Sequence, residues 1–431
     1  MLKKIIQFKL KIFSKLILKK YQPEVIGVTG STGKTSTKEA IYTVLGSKFN
    51  VRQNIKNYNN EIGLPLSIIG VDSPGKSIAG WTKVFLTAAR LILIRNISYP
   101  KILVLEMGVD RPGDMVYLKT IVNPNIAVFT TIGPVHLEFF GSIENIEKEK
   151  SMIMKNLPAN GWAILNYDDE LVRANIKTSK SKTLTFGFDE KADVRASEIV
   201  FSFEESKNIG NLIGINFKLS YQGSTVPVLL PKVIGYSAIY SALAAAAVGI
   251  THNLNLVEIS QSLRNLRSPA GRMNLIPGIN KSMIIDDTYN ASPRPSIAAL
   301  SMLGKIPLMK GSKKIAVMGD MAELGSYTEE GHKEVGKIVA EYKINYLVTV
   351  GEKAKDIAKS AIICGMKEDN IFQFNNVDQS KVFVKGKIKN GDLILVKGSQ
   401  SMRMEKIVKE IMSEPKKAKE LLVRQDWEDV A

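Results

Sequence analysis

The stretch VIGVTGSTGKTS, residues 25–36, passes from an apolar run through a glycine-rich turn into a helical pattern. Residues 25–28 predict a short buried strand. From Lys34 to residue 45 the apolar residues recur on one face, which predicts a helix that begins at Lys34. Small residues let backbone N–H groups surround a phosphate, and the helix N-terminus adds positive potential. This stretch therefore predicts an α/β domain organised around a phosphate-binding loop.

The loop contains two side chains with a specific chemical role. Lys34 would reach the β- and γ-phosphates of a nucleotide, and the Thr35 hydroxyl would ligate Mg²⁺. The spacing is the shorter G-x-x-G-K-T, because Val28 stands where the longer pattern has its first glycine. An ordinary glycine-rich turn is the alternative, but Lys-Thr at a strand-to-helix junction favours nucleotide binding. The predicted nucleotide-binding residues of the loop are Gly30, Ser31, Thr32, Gly33, Lys34, Thr35 and Ser36.

Length and composition restrict the class of protein. A chain of 431 residues predicts two or three domains, and 45% apolar with 23% charged residues is typical of globular proteins. The single Cys364 excludes a disulfide framework and a cysteine-based metal site, which favours a reducing compartment. A net charge of +17 requires an acidic partner. Because no RNA-binding motif or zinc-ligand spacing is visible, we expect nucleotide or anionic membrane rather than nucleic acid.

The basic excess is concentrated at the N-terminus. Residues 2–20, LKKIIQFKLKIFSKLILKK, contain seven lysines and no acid. The lysines argue against a membrane-spanning helix, and the interrupted apolar region argues against a signal peptide. Residues 1–20 then fit either a basic helix in an anionic membrane interface or a helix that packs on the domain and shows its lysines to water. We favour the first interpretation, which predicts a cytoplasmic protein that is peripheral on the inner face of the membrane.

Polar residues follow the next strand patterns. Glu106 ends the apolar run 101–106, so its carboxylate would lie at the C-terminal edge of the sheet as a direct or water-mediated Mg²⁺ partner. His136 follows the strand pattern 126–131 closely enough to predict a site role. The amides of Asn57, Asn59 and Asn60 predict hydrogen bonds to a polar substrate, with turn chemistry as the alternative.

The pattern of strands and helices predicts four segments. Residues 1–21 form the basic amphipathic helix, and residues 22–268 form an α/β domain with a β-rich later part. The alternation restarts near residue 268, so residues 269–411 form a second doubly wound domain. Residues 412–431 form a charged tail, expected as a peripheral helix or a frayed end. A second apolar-basic helix at residues 81–94 is predicted to be a core helix, with a second membrane contact left open.

Seven sequence blocks, in order, resemble the Mur ligase family of peptidoglycan precursor synthesis. They are GVTGSTGKTSTKEA (27–40), NYNNEIGLPLS (57–67), VLEMG (104–108), TTIGPVHLEFFGS (130–142), IIDDTYNASP (284–293), VMGDMAELG (317–325) and LVKGSQSMRME (395–405). The blocks YNASP and GDMAELG favour the MurF type within this family. No single block separates Mur ligases from folylpolyglutamate synthetases.

The resemblance implies a fold and a reaction. It implies a P-loop central ATPase domain with a mostly parallel sheet and a C-terminal Rossmann-like α/β domain. ATP would phosphorylate the carboxylate of a peptidoglycan precursor peptide, and an amine, D-Ala-D-Ala or a similar D-amino acid or dipeptide, would attack the acyl phosphate. Cations must gather there, because the carboxylate and the γ-phosphate repel each other.

The resemblance also gives roles to residues of the first domain. Thr35 and Glu106 would hold one Mg²⁺, and His136 would help to hold a second. Lys150 would be carbamoylated and so become a metal ligand, although Met152 stands where the family has Glu. Lys34, His136 and Lys150 are then the catalytic set. From the residues alone, the helix around Lys150, which is rich in Glu and Lys, is expected to present a solvated face.

In the second domain the resemblance points to six residues. Arg272 and Asp287 match positions that approach the ATP phosphates and ribose, and Tyr289 and Asn290 match the adenine-side motif. Lys397 and Ser399 belong to a block near the amine substrate, in which Gln400 replaces the usual Arg. Ser237 and Ser241 replace the His and Asn of the family's central-domain motif.

The N-terminus departs from the MurF type, which has a separate domain for the UDP-sugar. About 22 residues precede the first strand here, so the sugar-peptide is expected to bind differently, at the membrane or as a lipid-linked precursor. Two alternatives stay open: a ligase of the same superfamily with a different acyl acceptor, and a non-catalytic nucleotide-binding scaffold at the membrane.

Overall fold

A computed structural model describes residues 2–54, 58–135, 137–203 and 212–425. The chain divides into two compact units. The first comprises Met1–Ile199, Phe217–Val228 and Ser237–Leu266, and the second comprises Val200–Asn216, Leu229–Tyr236 and Arg267–Ala431.

The N-terminal two thirds of the chain form a large sheet with helices. The helices are α1 (Leu2–Tyr21), α2 (Lys34–Leu45), α3 (Gly63–Ile69), α4 (Ile78–Leu93), α5 (Asp114–Lys119), α6 (Leu137–Phe140), α7 (Ile143–Ser151), α8 (Glu170–Ala174), α9 (Tyr236–Thr251) and α10 (Leu256–Leu263). The strands are β1 (Glu24–Thr29), β2 (Val51–Gln53), β3 (Ile102–Glu106), β4 (Ile126–Phe129), β5 (Trp162–Asn166), β6 (Lys182–Gly187), β7 (Val194–Phe203), β8 (Leu212–Tyr221) and β9 (Ser224–Pro231).

Strand β1 is an interior strand of the parallel part of this sheet, between β3 and β4. The strand order is β2-β3-β1-β4-β5-β6-β7-β8-β9, and every neighbouring pair from β2 to β7 is parallel. The runs ILVLE and IAVF of β3 and β4 are buried at every position, as expected for parallel strands covered on both faces. The residues that follow β1, β3, β4 and β5 therefore meet at one edge of the sheet.

Helix α1 packs on this domain through one face. Leu10 and Ile17 are fully buried in the core. Phe13 lies 5.8 Å from Phe85 between ring centroids, and Tyr21 stacks on Tyr99 at 4.2 Å. Across the described ranges, no helix is both long enough and apolar enough to cross a membrane.

The second unit contains a six-stranded sheet. Its strands are β10 (Asn274–Pro277), β11 (Met283–Asp287), β12 (Lys314–Gly319), β13 (Tyr346–Val350), β14 (Ile371–Phe374) and β15 (Leu393–Lys397). Its helices are α11 (Pro293–Lys305), α12 (Thr328–Glu341), α13 (Lys355–Ile363), α14 (Val377–Lys387), α15 (Glu405–Ile411) and α16 (Ala418–Leu421). The order is β10-β11-β15-β12-β13-β14, and only β10 is antiparallel to its neighbour among these described strands. The predicted α/β class with mostly parallel sheets is confirmed.

The tail packs on this unit as far as residue 425. Ala418 and Leu422 are buried in its core. The Arg424 guanidinium donates to the backbone oxygens of Thr288 and Tyr289, at 2.6 and 3.1 Å. This part of the tail is therefore held by specific contacts, and the end from residue 426 lies outside the described residues.

Candidate active site

Two glycines set the path of the phosphate loop. Gly30 has φ +144°, and a Cβ there would lie 2.0 Å from the Thr130 hydroxyl oxygen. Gly33 has φ +80° and directly precedes the first residue of α2. The N–H groups of the first helical turn have no carbonyl partner within their own helix, so they are oriented to bind an anion.

The end of β4 fixes the loop from the opposite side. The Ser31 N–H donates to the Thr131 carbonyl at 2.7 Å, and the Ser31 hydroxyl accepts from the Gly133 N–H at 2.9 Å. The Thr130 hydroxyl donates to the Thr32 carbonyl at 2.6 Å. Sequence reasoning did not identify Thr130 and Thr131, because the loop and this strand end are about 100 residues apart in sequence.

The Lys34 side chain folds over its own loop. Its Nζ donates to the carbonyl oxygens of Gly30 at 2.8 Å and Ser31 at 3.3 Å. A phosphate oxygen is a stronger acceptor for an ammonium than a neutral carbonyl is. The ammonium is therefore held beside the anion position predicted from the loop.

Glu106 lies at the C-terminal end of β3, paired in register with Val28 of β1. Its side chain is buried. The Thr35 hydroxyl donates to Oε2 at 2.8 Å, and the Asn59 amide donates to Oε1 at 2.9 Å. The Asn54 side-chain oxygen accepts from the Glu106 backbone N–H. These contacts hold the carboxylate against the loop, as the strand pattern predicted.

The donor set around Glu106 fits Mg²⁺. This ion takes oxygen ligands and is commonly bound through one or two carboxylates, with the remaining positions filled by phosphate and water. Glu106 and Thr35 supply a carboxylate and a hydroxyl that already contact each other. The described residues contain no group of three or more His, Cys, Asp or Glu side chains suited to a metal. The predicted residues His136 and Asn57 lie outside the described residues.

Lys150 is buried near the end of α7, so the solvated-face reading was wrong at this residue. It is 1% exposed, and its Nζ donates to the Val109 carbonyl at 3.4 Å. Burial and the nearby charge of Lys34 lower the pKa of Lys150 to about 7, against the opposing effect of Asp110 and neighbouring carboxylates. The interpretation failed because a helix rich in Glu and Lys is normally solvated, and its composition does not show which segments cover one of its residues.

The two described asparagines of the amide-rich loop have different roles. Asn59 binds the Glu106 carboxylate. The Asn60 side-chain oxygen accepts from the backbone N–H groups of Ile62 and Gly63, at 3.2 and 2.9 Å. That is the turn chemistry considered for this loop, here at the start of α3.

Two neighbouring acids follow β5 and were not predicted as site residues. The Asp169 carboxylate accepts from the Ile132 N–H at 2.8 Å and caps α8. The Asp168 carboxylate accepts from the Tyr240 hydroxyl at 2.7 Å. The available signal was their place directly after a buried strand. Asp169 thereby fixes the segment that leads from β4 towards residue 136.

The Ser241 hydroxyl of α9 has two local hydrogen-bond partners. Thr37 contacts Ser241 at 3.3 Å between hydroxyl oxygens, and Ser241 donates to the Ser237 carbonyl at 3.0 Å. Ser241 is buried, so its hydroxyl serves packing between α2 and α9.

In the second unit, the six predicted residues come from the ends of β11 and β15 and the adjoining segments. Asp287 and Lys397 are paired in the strand register and form an ion pair at 2.6 Å. Lys397 also donates to the Asn290 carbonyl at 2.9 Å. The Ser399 hydroxyl accepts from the Ala322 N–H at 2.8 Å.

Arg272 lies over the Tyr289 ring, with 4.2 Å from the guanidinium carbon to the ring centroid. Its Nε is buried and has no hydrogen-bond partner within the described part of the chain. A buried guanidinium nitrogen without an acceptor is suited to an anionic ligand.

Asp286 holds this second cluster together and was not predicted. It is fully buried, and it accepts from the Gly271 N–H at 3.2 Å and from the Thr288 hydroxyl at 2.6 Å. Burial raises the pKa of Asp286 to about 7, while the Thr288 hydrogen bond opposes the rise. Asp286 therefore ties the segment before Arg272 to the loop that carries Tyr289.

Comparison with known proteins identifies the family. The Mur ligase middle domain matches residues 28–79 and 87–249, and the Mur ligase glutamate ligase domain matches residues 271–400. The UDP-N-acetylmuramoyl-tripeptide–D-alanyl-D-alanine ligase of Bacillus subtilis is 31% identical over 402 residues, covering 93% of this chain and 79% of the relative. The Escherichia coli protein of that name is 29% identical, covering 89% and 76%.

A solved structure gives the same result. The MurF ligase of Thermotoga maritima in complex with ADP has a TM-score of 0.76 and 28% identity, covering 95% of this chain and 84% of that one. The chain therefore belongs to the Mur ligase family of ATP-dependent ligases and is of the MurF type.

Proposed function

We propose that this chain adds D-Ala-D-Ala, or a similar D-amino acid or dipeptide, to the peptide carboxylate of a peptidoglycan precursor, with ADP and phosphate as the other products. The observation that carries this proposal is the hydrogen bond from Thr35 to the buried carboxylate of Glu106. Thr35 directly follows Lys34 in the phosphate loop, so all three side chains lie at the same edge of the sheet. The names of the relatives supply the substrates. They favour this reaction over the folylpolyglutamate alternative.

The phosphate loop and Glu106 have separate tasks in this reaction. Lys34 and the N–H groups at the start of α2 bind the β- and γ-phosphates of ATP. Thr35 and Glu106 hold one Mg²⁺, which would neutralise charge on the phosphates. His136 is proposed to contribute to a second Mg²⁺ by resemblance. Asn59 keeps the Glu106 carboxylate oriented by its hydrogen bond.

The reaction has two steps and needs no reactant other than ATP, the precursor carboxylate and the amine. A carboxylate oxygen of the precursor attacks the γ-phosphorus, the bond to the β-phosphate oxygen breaks, and ADP leaves. The amine nitrogen then attacks the acyl carbon, the carbon–oxygen bond to phosphate breaks, and one proton leaves the nitrogen. Lys34 would offset the negative charge that accumulates in the first step.

We propose that Lys150 is carbamoylated. A neutral amine attacks CO₂, a nitrogen–carbon bond forms and one proton is released. A pKa near 7, caused mainly by burial, leaves about half of the Lys150 amines neutral at pH 7. Incubation with ¹³C-labelled bicarbonate should give a carbamate carbon signal by NMR, and the same sample of Lys150→Met should lack it.

The second unit is proposed to contribute to nucleotide and amine binding. Arg272 and Asp287 bind the phosphate and ribose side, and Tyr289 and Asn290 serve the adenine side. Lys397 and Ser399 are proposed to contact the amine substrate. For Arg272, the buried Nε without an acceptor supports an anionic ligand. We also propose the predicted division of the chain into an N-terminal helix, two domains and a tail, with boundaries at residues 21, 268 and 411.

We propose a cytoplasmic enzyme that is peripheral on the inner face of the membrane, with residues 1–20 as the contact. Seven lysines and no acid in residues 2–20 support attraction to an anionic surface.

The test is amine-dependent ADP release from ATP and Mg²⁺, with product masses read by mass spectrometry. The acyl donors are the UDP-linked muramoyl tripeptide, its lipid-linked form and a folate, and the amines are D-Ala-D-Ala and glutamate. Lys34→Ala should lose at least about 10³-fold in turnover, whereas Lys148→Ala, an exposed lysine of α7, should retain it. A folate product, or no amine-dependent ADP with any donor, would overturn the proposal.

A further inference from the structure

Helices α1 and α4 present apolar side chains to solvent on their outer faces. Of the twenty exposed large hydrophobic side chains among the described residues, nine lie on α1 or in residues 78–97. The α1–α4 surface consists of Ile5, Phe8, Ile12, Leu16, Ile78, Leu86, Leu93, Ile94 and Ile97. These two segments make up about a tenth of the chain, so the apolar exposure is concentrated there.

On α1 the exposed residues form one stripe. Ile5, Phe8, Ile12 and Leu16 recur at helical spacing and are 41–64% exposed. The opposite face contains Leu10 and Ile17, which are fully buried. The opposite face therefore packs α1 on its domain, and the stripe leaves much of its apolar surface in contact with water.

On α4 the outer face is more exposed still. Leu86 and Leu93 are 66% and 82% exposed, and Ile97, after the helix, is 94% exposed. The buried face of α4 carries Val84, Ala88 and Leu91.

The two helices lie side by side on the same core. Phe13 contacts Phe85, and the Tyr21 hydroxyl donates to the Leu91 carbonyl at 2.9 Å, so the helices run in the same direction. The buried faces of both belong to one hydrophobic cluster. Their opposite faces are therefore turned to solvent on the same side of this unit.

The charged residues within the two segments that carry this surface all have one sign. Residues 2–23 and 73–105 contain twelve Lys or Arg and no Asp or Glu, which leaves five net positive charges for the rest of the chain. Glu61 contacts α1 through Lys3 at 3.2 Å and Gln7 at 2.9 Å. An apolar surface with basic side chains matches the interface of a bilayer that contains anionic lipid.

We infer that α1 and α4 together form a docking surface for an anionic phospholipid bilayer. This rests on the peripheral location proposed above and extends it from residues 1–20 to a second helix. The apolar side chains enter the headgroup boundary, and the lysines and arginines bind lipid phosphates. Bound in this way, the enzyme acts at the membrane surface without a spanning helix.

The test is co-sedimentation of the full chain with vesicles of phosphatidylglycerol and phosphatidylcholine at 3:7, and with phosphatidylcholine alone. The wild type should bind the anionic vesicles, and binding should weaken about tenfold or more when salt rises from 0.1 to 0.5 M. The double variant Leu86→Ser/Leu93→Ser should weaken binding about tenfold or more. Phe8→Ser/Leu16→Ser should do the same.

Ile363→Ser/Val382→Ser is a matched control, because these side chains are 83% and 66% exposed in the second unit. It should bind vesicles as the wild type does, and every variant should keep amine-dependent ADP release with water-soluble substrates. If the α1 variant loses binding and the α4 variant does not, residues 1–20 act alone and the two-helix surface is wrong. The inference would be overturned if the wild type did not bind anionic vesicles. It would also be overturned if the wild type formed a dimer without binding vesicles and the α4 variant were a monomer, because the surface would then join two copies of the chain. If the wild type released no ADP in the presence of the amine, the proposed reaction would be overturned instead.

Discussion

Lys150→Met should make the first unit more stable at neutral pH while it abolishes the proposed ligase activity. Lys150 is 1% exposed, and its pKa is lowered from 10.5 to about 7, mainly by burial and then by the charge of Lys34. Methionine fills a similar volume with no charge. At pH 7 the unfolded chain keeps this lysine protonated, whereas the folded chain must either release the proton or bury the charge, which costs about 4 kcal/mol over this pKa difference.

The sign of the pH dependence follows from proton counts. Between pH 7 and 10.5 the unfolded state binds more protons at Lys150 than the folded state does. The free energy of unfolding of the wild type should therefore rise with pH relative to Lys150→Met. The advantage of the variant should fall from about 4 kcal/mol at pH 7 to about 2 kcal/mol at pH 9.

The assay is urea unfolding in CO₂-depleted buffer, followed by tryptophan fluorescence. A Trp427→Phe background leaves Trp81 and Trp162 as the only tryptophans, and both lie in the first unit. Lys148→Met is the control, since Lys148 is exposed on the same helix and its substitution should change the free energy by no more than about 0.5 kcal/mol. The reasoning would be refuted if Lys150→Met were no more stable than the wild type at pH 7. It would also be refuted if the difference in unfolding free energy between the two proteins were the same at pH 9 as at pH 7.

Three further substitutions test the two clusters. Glu106→Gln keeps the shape of a buried side chain bonded to Thr35 but removes its charge, and we expect at least about 10²-fold slower ADP release together with a weaker dependence on Mg²⁺ concentration. Gly30→Ala should lower the unfolding free energy by about 2–4 kcal/mol, because its Cβ would lie 2.0 Å from Thr130, whereas Gly113→Ala, with φ +90° and open space around it, should lose only about 1 kcal/mol. Arg424→Ala should destabilise the second unit by about 2–3 kcal/mol, because buried Glu405 loses one of its two guanidinium partners. It should also raise the KM for ATP, because Arg424 holds the backbone of Thr288 and Tyr289. Arg267→Ala is the control: its side chain is 90% exposed, so neither the stability nor the KM should change measurably.

The features that sequence reasoning located share one property. The strand before Gly30 and the strand that ends at Glu106 are continuous apolar runs, and parallel strands place their C-terminal ends at one edge. Glu106 could therefore be placed beside the loop without knowledge of the contacts.

The residues that were missed act on partners distant in sequence. Asn54 binds the backbone of Glu106 from 52 positions away, and Asp169 binds Ile132 from 37 positions away. Asp286 joins two segments of the second unit through backbone and hydroxyl donors. Each is a common polar residue in a loop or at a strand end, so its role depends on tertiary geometry that no local pattern contains.

Lys150 links the stability of the first unit to its chemistry. A lysine that is buried near a second cation destabilises the folded chain, and a methionine of similar size would remove that penalty. The arrangement is understandable if the site receives negative charge when it works. A polyphosphate bound beside Lys34 would lower the cost of both cations, and the proposed carbamate on Lys150 would convert one of them into an anion that attracts metal. Both outcomes stabilise the occupied site relative to the empty one, so the energy lost in folding is recovered on binding.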